Sequence, residues 1–93
     1  MKTGIKLIVL ERKEQFTKHC RSVEYDVKRN SGQQLRKAAV LLISLNPQNS
    51  FPPGGWDENL WNKMCRKSYR ERLIIAGALI AAEIDRLNYL GIK

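Results

Sequence analysis

The segment from Ser68 to Leu87 constrains this chain most, because every residue from Leu73 to Ala82 within it is apolar or glycine. A helix with no polar face over about three turns cannot lie on a surface, so this one is expected to be enclosed by other helices. Its start is marked by Ser68 followed three residues later by Glu71, a capping box that places the first helical residue at about Tyr69. Ala76, Gly77, Ala78, Ala81 and Ala82 leave room for a neighbouring helix to come close. A mid-helix glycine costs about 1 kcal/mol relative to alanine, so Gly77 is expected to serve a tight crossing. The helix turns charged again at Glu83, Asp85 and Arg86 and is expected to stop near Gly91, which suits a left-handed C-cap. The apolar run is far short of the roughly 20 residues that span a bilayer.

The remaining elements follow from helical periodicity and punctuation. Ile5, Ile8, Val9, Arg12 and Phe16 recur at helical spacing, with Glu11, Lys13, Glu14 and Lys18 on the other side, which predicts an amphipathic helix over 4–19. A strand at Ile8 to Leu10 is the alternative, disfavoured by the unbroken helix-forming continuation. Residues 20–30 are polar with weak periodicity and no proline, and read as a connection with room for one helical turn. Ser31 and Gln34 repeat the capping-box spacing, and Leu35, Ala38, Ala39, Leu42 and Ile43 predict a helix over 32–45, ended by Asn46-Pro47. A loop with Pro52-Pro53-Gly54-Gly55 follows, and Asp57 is placed to cap a short helix from Glu58 to Cys65. The expected architecture is a single all-α domain, a bundle of three main helices plus one short one.

With 93 residues such a domain buries only about 60–65% of its unfolded-chain surface, a narrow margin that oligomerisation would widen. Seventeen Lys and Arg against nine Asp and Glu give a formal charge of +8, which favours anionic partners. Cys20 and Cys65 are far apart and outside any CxxC, so neither a disulfide framework nor a zinc site has support in spacing, and a reduced, cytoplasmic setting is expected. The N-terminal apolar run, Ile5 to Leu10, is shorter than a secretory signal core and has no small-residue cleavage site after it, so neither export nor a membrane anchor is expected.

Two constellations have chemical potential. Glu11 and Glu14 share a helical face and, with a second carboxylate pair on a neighbouring helix, would suit Mg²⁺, a hard cation that takes oxygen ligands. Glu83 and Asp85 diverge by about 200° on a helix and cannot both serve one metal there; solvated charge and helix-end ion pairs are the competing account of all these carboxylates. The second constellation is basic. Lys63, Arg66, Lys67, Arg70 and Arg72 crowd the start of the long helix, whose terminal N–H groups add a positive dipole end, and Lys67 with Arg70 is the expected phosphate holder. Trp56, Trp61 and Tyr25 offer flat faces for a base, although the tryptophans equally suit a core. His19, the only histidine, adjoins Cys20 in sequence but diverges from it on a helix, so a Cys–His nucleophile is not built.

The stretch Arg70 to Leu87 resembles the ending of small phage and prophage proteins described as MazG-like. Upstream, Glu24-Tyr25-Asp26, Gly32, Gln34-Leu35, Ala38-Ala39 and the tryptophans Trp56 and Trp61 extend the resemblance over about Ile8 to Leu87. It implies an all-α, oligomeric fold and a nucleotide-shaped ligand. The enzymes of this type hydrolyse nucleoside triphosphates with Mg²⁺ held by ExxE and ExxD pairs. Glu11 and Glu14 match an ExxE, whereas Glu83-Ile84-Asp85 departs from ExxD, and histidines of the phage group fall on Tyr25 and Arg29.

These readings converge on a phage-type protein, acting in the cytoplasm of an infected bacterium, that binds a nucleotide-derived anion without turnover. It would serve as a sponge for a signalling nucleotide of host defence. Tyr25, Asp26, Arg29, Trp56, Trp61, Lys63, Lys67 and Arg70 are the expected ligand-binding residues, with no catalytic residue and no cofactor. The enzyme alternative is a Mg²⁺-dependent pyrophosphohydrolase with Glu11, Glu14 and Glu83 at the metal. A third reading, nucleic-acid binding, rests on the basic pI and lacks any recognised reading motif.

Overall fold

The computed structural model describes residues 2–18, 22–44 and 51–93, which form five helices and, among the described residues, no strand. They are α1 (Gly4–Lys18), α2 (Val23–Arg29), α3 (Gln34–Leu42), α4 (Glu58–Cys65) and α5 (Tyr69–Leu90). None of them is long and apolar enough to cross a membrane. The readings of His19, Cys20 and the Asn46-Pro47 stop fall outside the described residues.

Both ends of α5 form as the sequence predicts. Ser68 Oγ accepts the backbone N–H of Glu71 at 3.2 Å, and Gly91 closes the helix in the left-handed conformation at φ 73°. The Gly91 and Ile92 N–H groups return to the carbonyls of Asn88 and Leu87, which would otherwise be orphaned at the helix end. Helices α1, α2 and α3 all pack on α5. Leu35, Ala38, Ala39 and Leu42 of α3 meet Ile75, Ala76, Leu79 and Ala82 of α5 in the core, which Trp61, Met64 and Cys65 of α4 complete.

Gly77 is where α1 seats. A Cβ added there would lie 2.6 Å from Ile8 Cδ1 and 2.9 Å from Ile8 Cγ1, closer than atoms pack, so the missing side chain is the socket for Ile8. Ile8 is β-branched and stiff, which limits how far it can move aside. This socket, together with an Arg12–Asp85 ion pair at 3.3 Å, sets the rotation of α1. The resulting inward face differs from the expected one: Gln15 is buried, whereas Ile5, Val9 and Phe16 are exposed.

Three further features depart from expectation. The polar connection over 20–30 contains a full helix, α2, N-capped by Ser22, whose hydroxyl accepts the Tyr25 N–H. Its buried residue is a carboxylate, Asp26, so the apolar signature of an inward face is missing. The Ser31–Gln34 capping box does not form. Instead α3 starts after Gln33, which is left-handed at φ 64°, and Gln34 Nε2 donates to the carbonyls of Arg29 and Gly54. Helix α3 also ends early, at Leu42. Finally, α5 is not enclosed on all sides within one chain. Leu73, Ile80 and Ile84 remain exposed, and Ile80 and Ile84 form an apolar groove with Val40 of α3 and the adjoining Ile43.

Two outcomes test this packing. Gly77→Val is expected to cost about 2 kcal/mol in chemical denaturation, as overpacking does, and most of that cost should vanish in an Ile8→Ala background. Simple additivity of the two changes would show that the residues are not in contact. Burial pushes the Cys65 thiol up from its ordinary pKa, against a smaller opposing pull from Arg72. The neutral thiol is the favoured native form, so its contribution to stability is intact below the ordinary thiol pKa and is lost as pH rises above it. In a Cys20→Ser background, alkylation of Cys65 at pH 8 should proceed only as fast as the chain unfolds; modification at the rate of a free thiol would contradict its burial.

Candidate functional site

Helices α1 and α4 face one another across a groove of about 270 Å³. Glu11, Glu14 and Gln15 line it from α1, at the spacings that put residues on one helical face. Leu60, Lys63 and Met64 line it from α4, Lys67 follows one turn later, and Ile75 of α5 closes the apolar floor. One wall therefore carries two carboxylates and an amide, and the opposite wall carries two ammonium groups. Lys67 Nζ lies 3.6 Å from Glu71 Oε2, with both side chains about half exposed. A pair of that kind contributes roughly 0–1 kcal/mol, so it restrains the ammonium only weakly. Gln15 is 3% exposed, and its Oε1 is buried without a hydrogen bond. An orphaned buried acceptor costs about 1–3 kcal/mol, which leaves Gln15 with an unmet hydrogen-bonding demand beside the groove.

A second polar cluster lies between α2 and α5. Arg86 donates to both carboxylate oxygens of Glu83, through Nε at 2.6 Å and Nη2 at 3.0 Å, and this bonded carboxylate holds the guanidinium pKa above its ordinary value against the cost of burial. The charge of Asp26 adds to that upward pull. Asp26 is fully buried, and its Oδ1 accepts from Asn30 Nδ2 at 2.7 Å. Asn30 Oδ1 in turn accepts from Trp56 Nε1 at 2.8 Å. The bonded chain thus runs from α2 to the segment that leads into α4, with the charge of Arg86 on α5 acting on its Asp26 end. Trp56 meets the fully buried Trp61 edge-on, with ring centroids 6.2 Å apart.

The expected site residues divide accordingly. Lys63 and Lys67 come together in the groove, and Glu11 and Glu14, assigned in the sequence to a rival chemistry, line the same space. Asp26, Trp56 and Trp61 belong to the buried network and the core, where they tie elements together. Tyr25 and Arg29 are exposed on α2, and Arg70 is exposed in the first turn of α5, none of them lining the groove. Glu83 lies in the bidentate pair with Arg86, away from Glu11 and Glu14, and among the described residues no three Asp, Glu, His or Cys side chains converge. Gln15 is the groove residue that sequence reasoning passed over. Its signal was faint: it stands two turns from Ile8, a polar residue on the stripe that α1 turns inward.

Arg72, counted in the sequence with the basic cluster, has a structural task. Its Nη1 donates to the carbonyls of Leu42 at 2.7 Å and Ser44 at 3.0 Å, and its Nε donates to that of Lys67 at 3.2 Å. One guanidinium therefore satisfies the open end of α3 and the α4–α5 turn together, with its Cζ 5.8 Å from the centroid of the Tyr69 ring.

No protein family, curated protein or solved structure matches this chain. The site consequently rests on its own geometry.

Arg72→Lys should lower stability by about 1–2 kcal/mol, because a single ammonium cannot reproduce the fork that serves three carbonyls. Unchanged stability by thermal denaturation would contradict the bracing role.

Proposed function

We propose that this chain binds a small phosphorylated molecule of nucleotide type in the α1–α4 groove and holds it without turnover. The observation that carries the reading is the pairing of Lys63 and Lys67 on one wall of a groove with an apolar floor of Leu60, Met64 and Ile75. Phosphate oxygens suit the ammonium wall, and a ring suits the floor. The volume of about 270 Å³ sits at the lower edge of ligand sites, matching a single nucleotide better than a dinucleotide. The formal charge of +8 supports capture of an anion from solution. The MazG-like resemblance of Arg70 to Leu87 points to the same ligand class. Commitment of both Glu83 oxygens to Arg86 supports binding over hydrolysis, since that carboxylate is already neutralised within the fold. Sequestration of a signalling nucleotide is the biological role that such a binder would have.

One observation favours a second reading. Glu11 and Glu14 stand across the groove from the two lysines. Mg²⁺ is commonly held by one or two carboxylates together with substrate phosphates, so a metal–nucleotide complex would span both walls and a pyrophosphohydrolase would follow.

Assembly belongs to the same proposal. Val40, Ile43, Ile80 and Ile84 form an apolar face that a second copy would cover, and a small domain gains the burial it lacks alone.

Calorimetric titration of the protein with ADP and ATP, with and without Mg²⁺, tests the reading. Binding is expected in both conditions, weakened about tenfold or more by Lys63→Ala together with Lys67→Ala. The nucleotide should be recovered intact by chromatography after denaturation. Release of monophosphate and pyrophosphate from ATP would replace the binder with the enzyme, and absence of binding would overturn both.

A further inference from the structure

The two walls of the groove differ in hydrogen-bonding sense as well as charge. The α4 wall, with Lys63 and Lys67, can only donate. On the α1 wall the carboxylates of Glu11 and Glu14 can only accept, and beside them Gln15 lines the groove with its Oε1 turned inward, buried and without a hydrogen bond. A ligand that is anionic throughout matches one wall and is repelled by the other. A ligand with an anionic end and a donor-bearing end matches both.

We infer that the groove selects a nucleotide whose base carries an exocyclic amine, with the phosphate on Lys63 and Lys67 and the amine donated to Gln15 Oε1. This rests on the proposed nucleotide site and adds to it a specificity-determining residue. Adenine, cytosine and guanine carry such an amine, and hypoxanthine places a carbonyl oxygen where adenine has its amine. That oxygen would set acceptor against acceptor at Gln15. The terminal torsion of a glutamine is broad, so the amide can turn its oxygen toward the groove as the ligand enters. Leu60, Met64 and Ile75 offer the base an apolar surface to lie against.

The buried orphan makes the idea separable from a structural role. Removing an unsatisfied buried acceptor and replacing it with an apolar group of similar shape is close to neutral for folding, or stabilising. Gln15→Met should therefore leave the thermal midpoint equal or higher, while removing the ligand preference. A glutamine that merely packed α1 onto α4 would shift stability and leave the preference between two otherwise identical nucleotides unchanged.

The experiment compares AMP with IMP by calorimetric titration of the full chain. The wild type is expected to bind AMP about tenfold or more tightly than IMP, the scale of one unmatched buried hydrogen bond. Gln15→Met is expected to bind both at the weaker level, with folding intact by circular dichroism. Equal binding of AMP and IMP by the wild type, with both lost in the Lys63→Ala, Lys67→Ala protein, would overturn the amine contact and leave the nucleotide groove standing. Binding of neither nucleotide by the wild type would overturn the groove itself. A preference for AMP that survives in Gln15→Met would assign the discrimination to another residue and overturn this one. Should Gln15→Met fail to fold, the role of an unneeded orphan is refuted, and the wild-type ratio of AMP to IMP still decides whether an amine is read.

Discussion

The middle of α5 has no side on which water is welcome, and the remaining helices are arranged by the need to cover it. In a chain of 93 residues that requirement leaves little freedom. Helix α3 takes one flank with Leu35, Ala38 and Leu42, all fully buried, while α1 takes another by setting Ile8 over Gly77. The glycine is the hinge of the arrangement in a geometric sense. It lets α1 come close enough that its next two turns, with Glu11, Glu14 and Gln15, stand opposite α4. Had α1 been held further out by a side chain at residue 77, the walls of the groove would not share one space.

Hydrophobic covering alone does not define direction, and polar anchors supply it. Arg72 ties the end of α3 to the start of α5, Arg12 pairs with Asp85 between α1 and α5, and the Asp26–Asn30–Trp56 chain fastens α2 to the segment before α4. Each anchor uses a charged or amide group that is wholly or partly withdrawn from water. Such groups contribute less to net stability than to excluding alternative packings, because an unpaired partner in a wrong arrangement would be costly. The same economy explains why several residues with the chemistry of a ligand site are absent from the groove. Asp26 and Trp56 are engaged in holding the fold.

Legibility in the sequence followed the type of signal. The ends of α5 and the start of α4 depend on local chemistry, Ser68, Gly91 and Asp57, and these residues do in three dimensions what their neighbours imply. The turn into α3 departs from its local signal: the Ser31–Gln34 spacing suits a capping box, yet Gln34 finds better partners in the carbonyls of Arg29 and Gly54, one of them 20 residues away. Helix α2 was hidden because its inward residue is Asp26, whose burial depends on Asn30 and on the field of Arg86. The rotation of α1 was hidden for a related reason: periodicity counts apolar residues, and this helix leaves Phe16 outside and takes Gln15 inside. At the site, Lys63 and Lys67 stand in the sequence among five basic residues, with Lys67 and Arg70 as the expected pair, whereas the groove takes Lys63 and Lys67 and leaves Arg70 outside. Their meeting with Glu11 and Glu14 was not visible, since it is set by the tertiary fit of Ile8 into the place left by Gly77.

The central claim is that the α1–α4 groove is where the chain meets an anionic ligand. Amide resonances recorded by ¹⁵N–¹H correlation spectroscopy during addition of AMP test it directly. The account predicts that the largest shifts fall on Glu11 to Gln15, on Leu60 to Lys67 and on Ile75, with little change in α2 or at Arg70. Shifts concentrated instead around Tyr25, Arg29 and Arg70, or spread evenly over the basic surface, would contradict it.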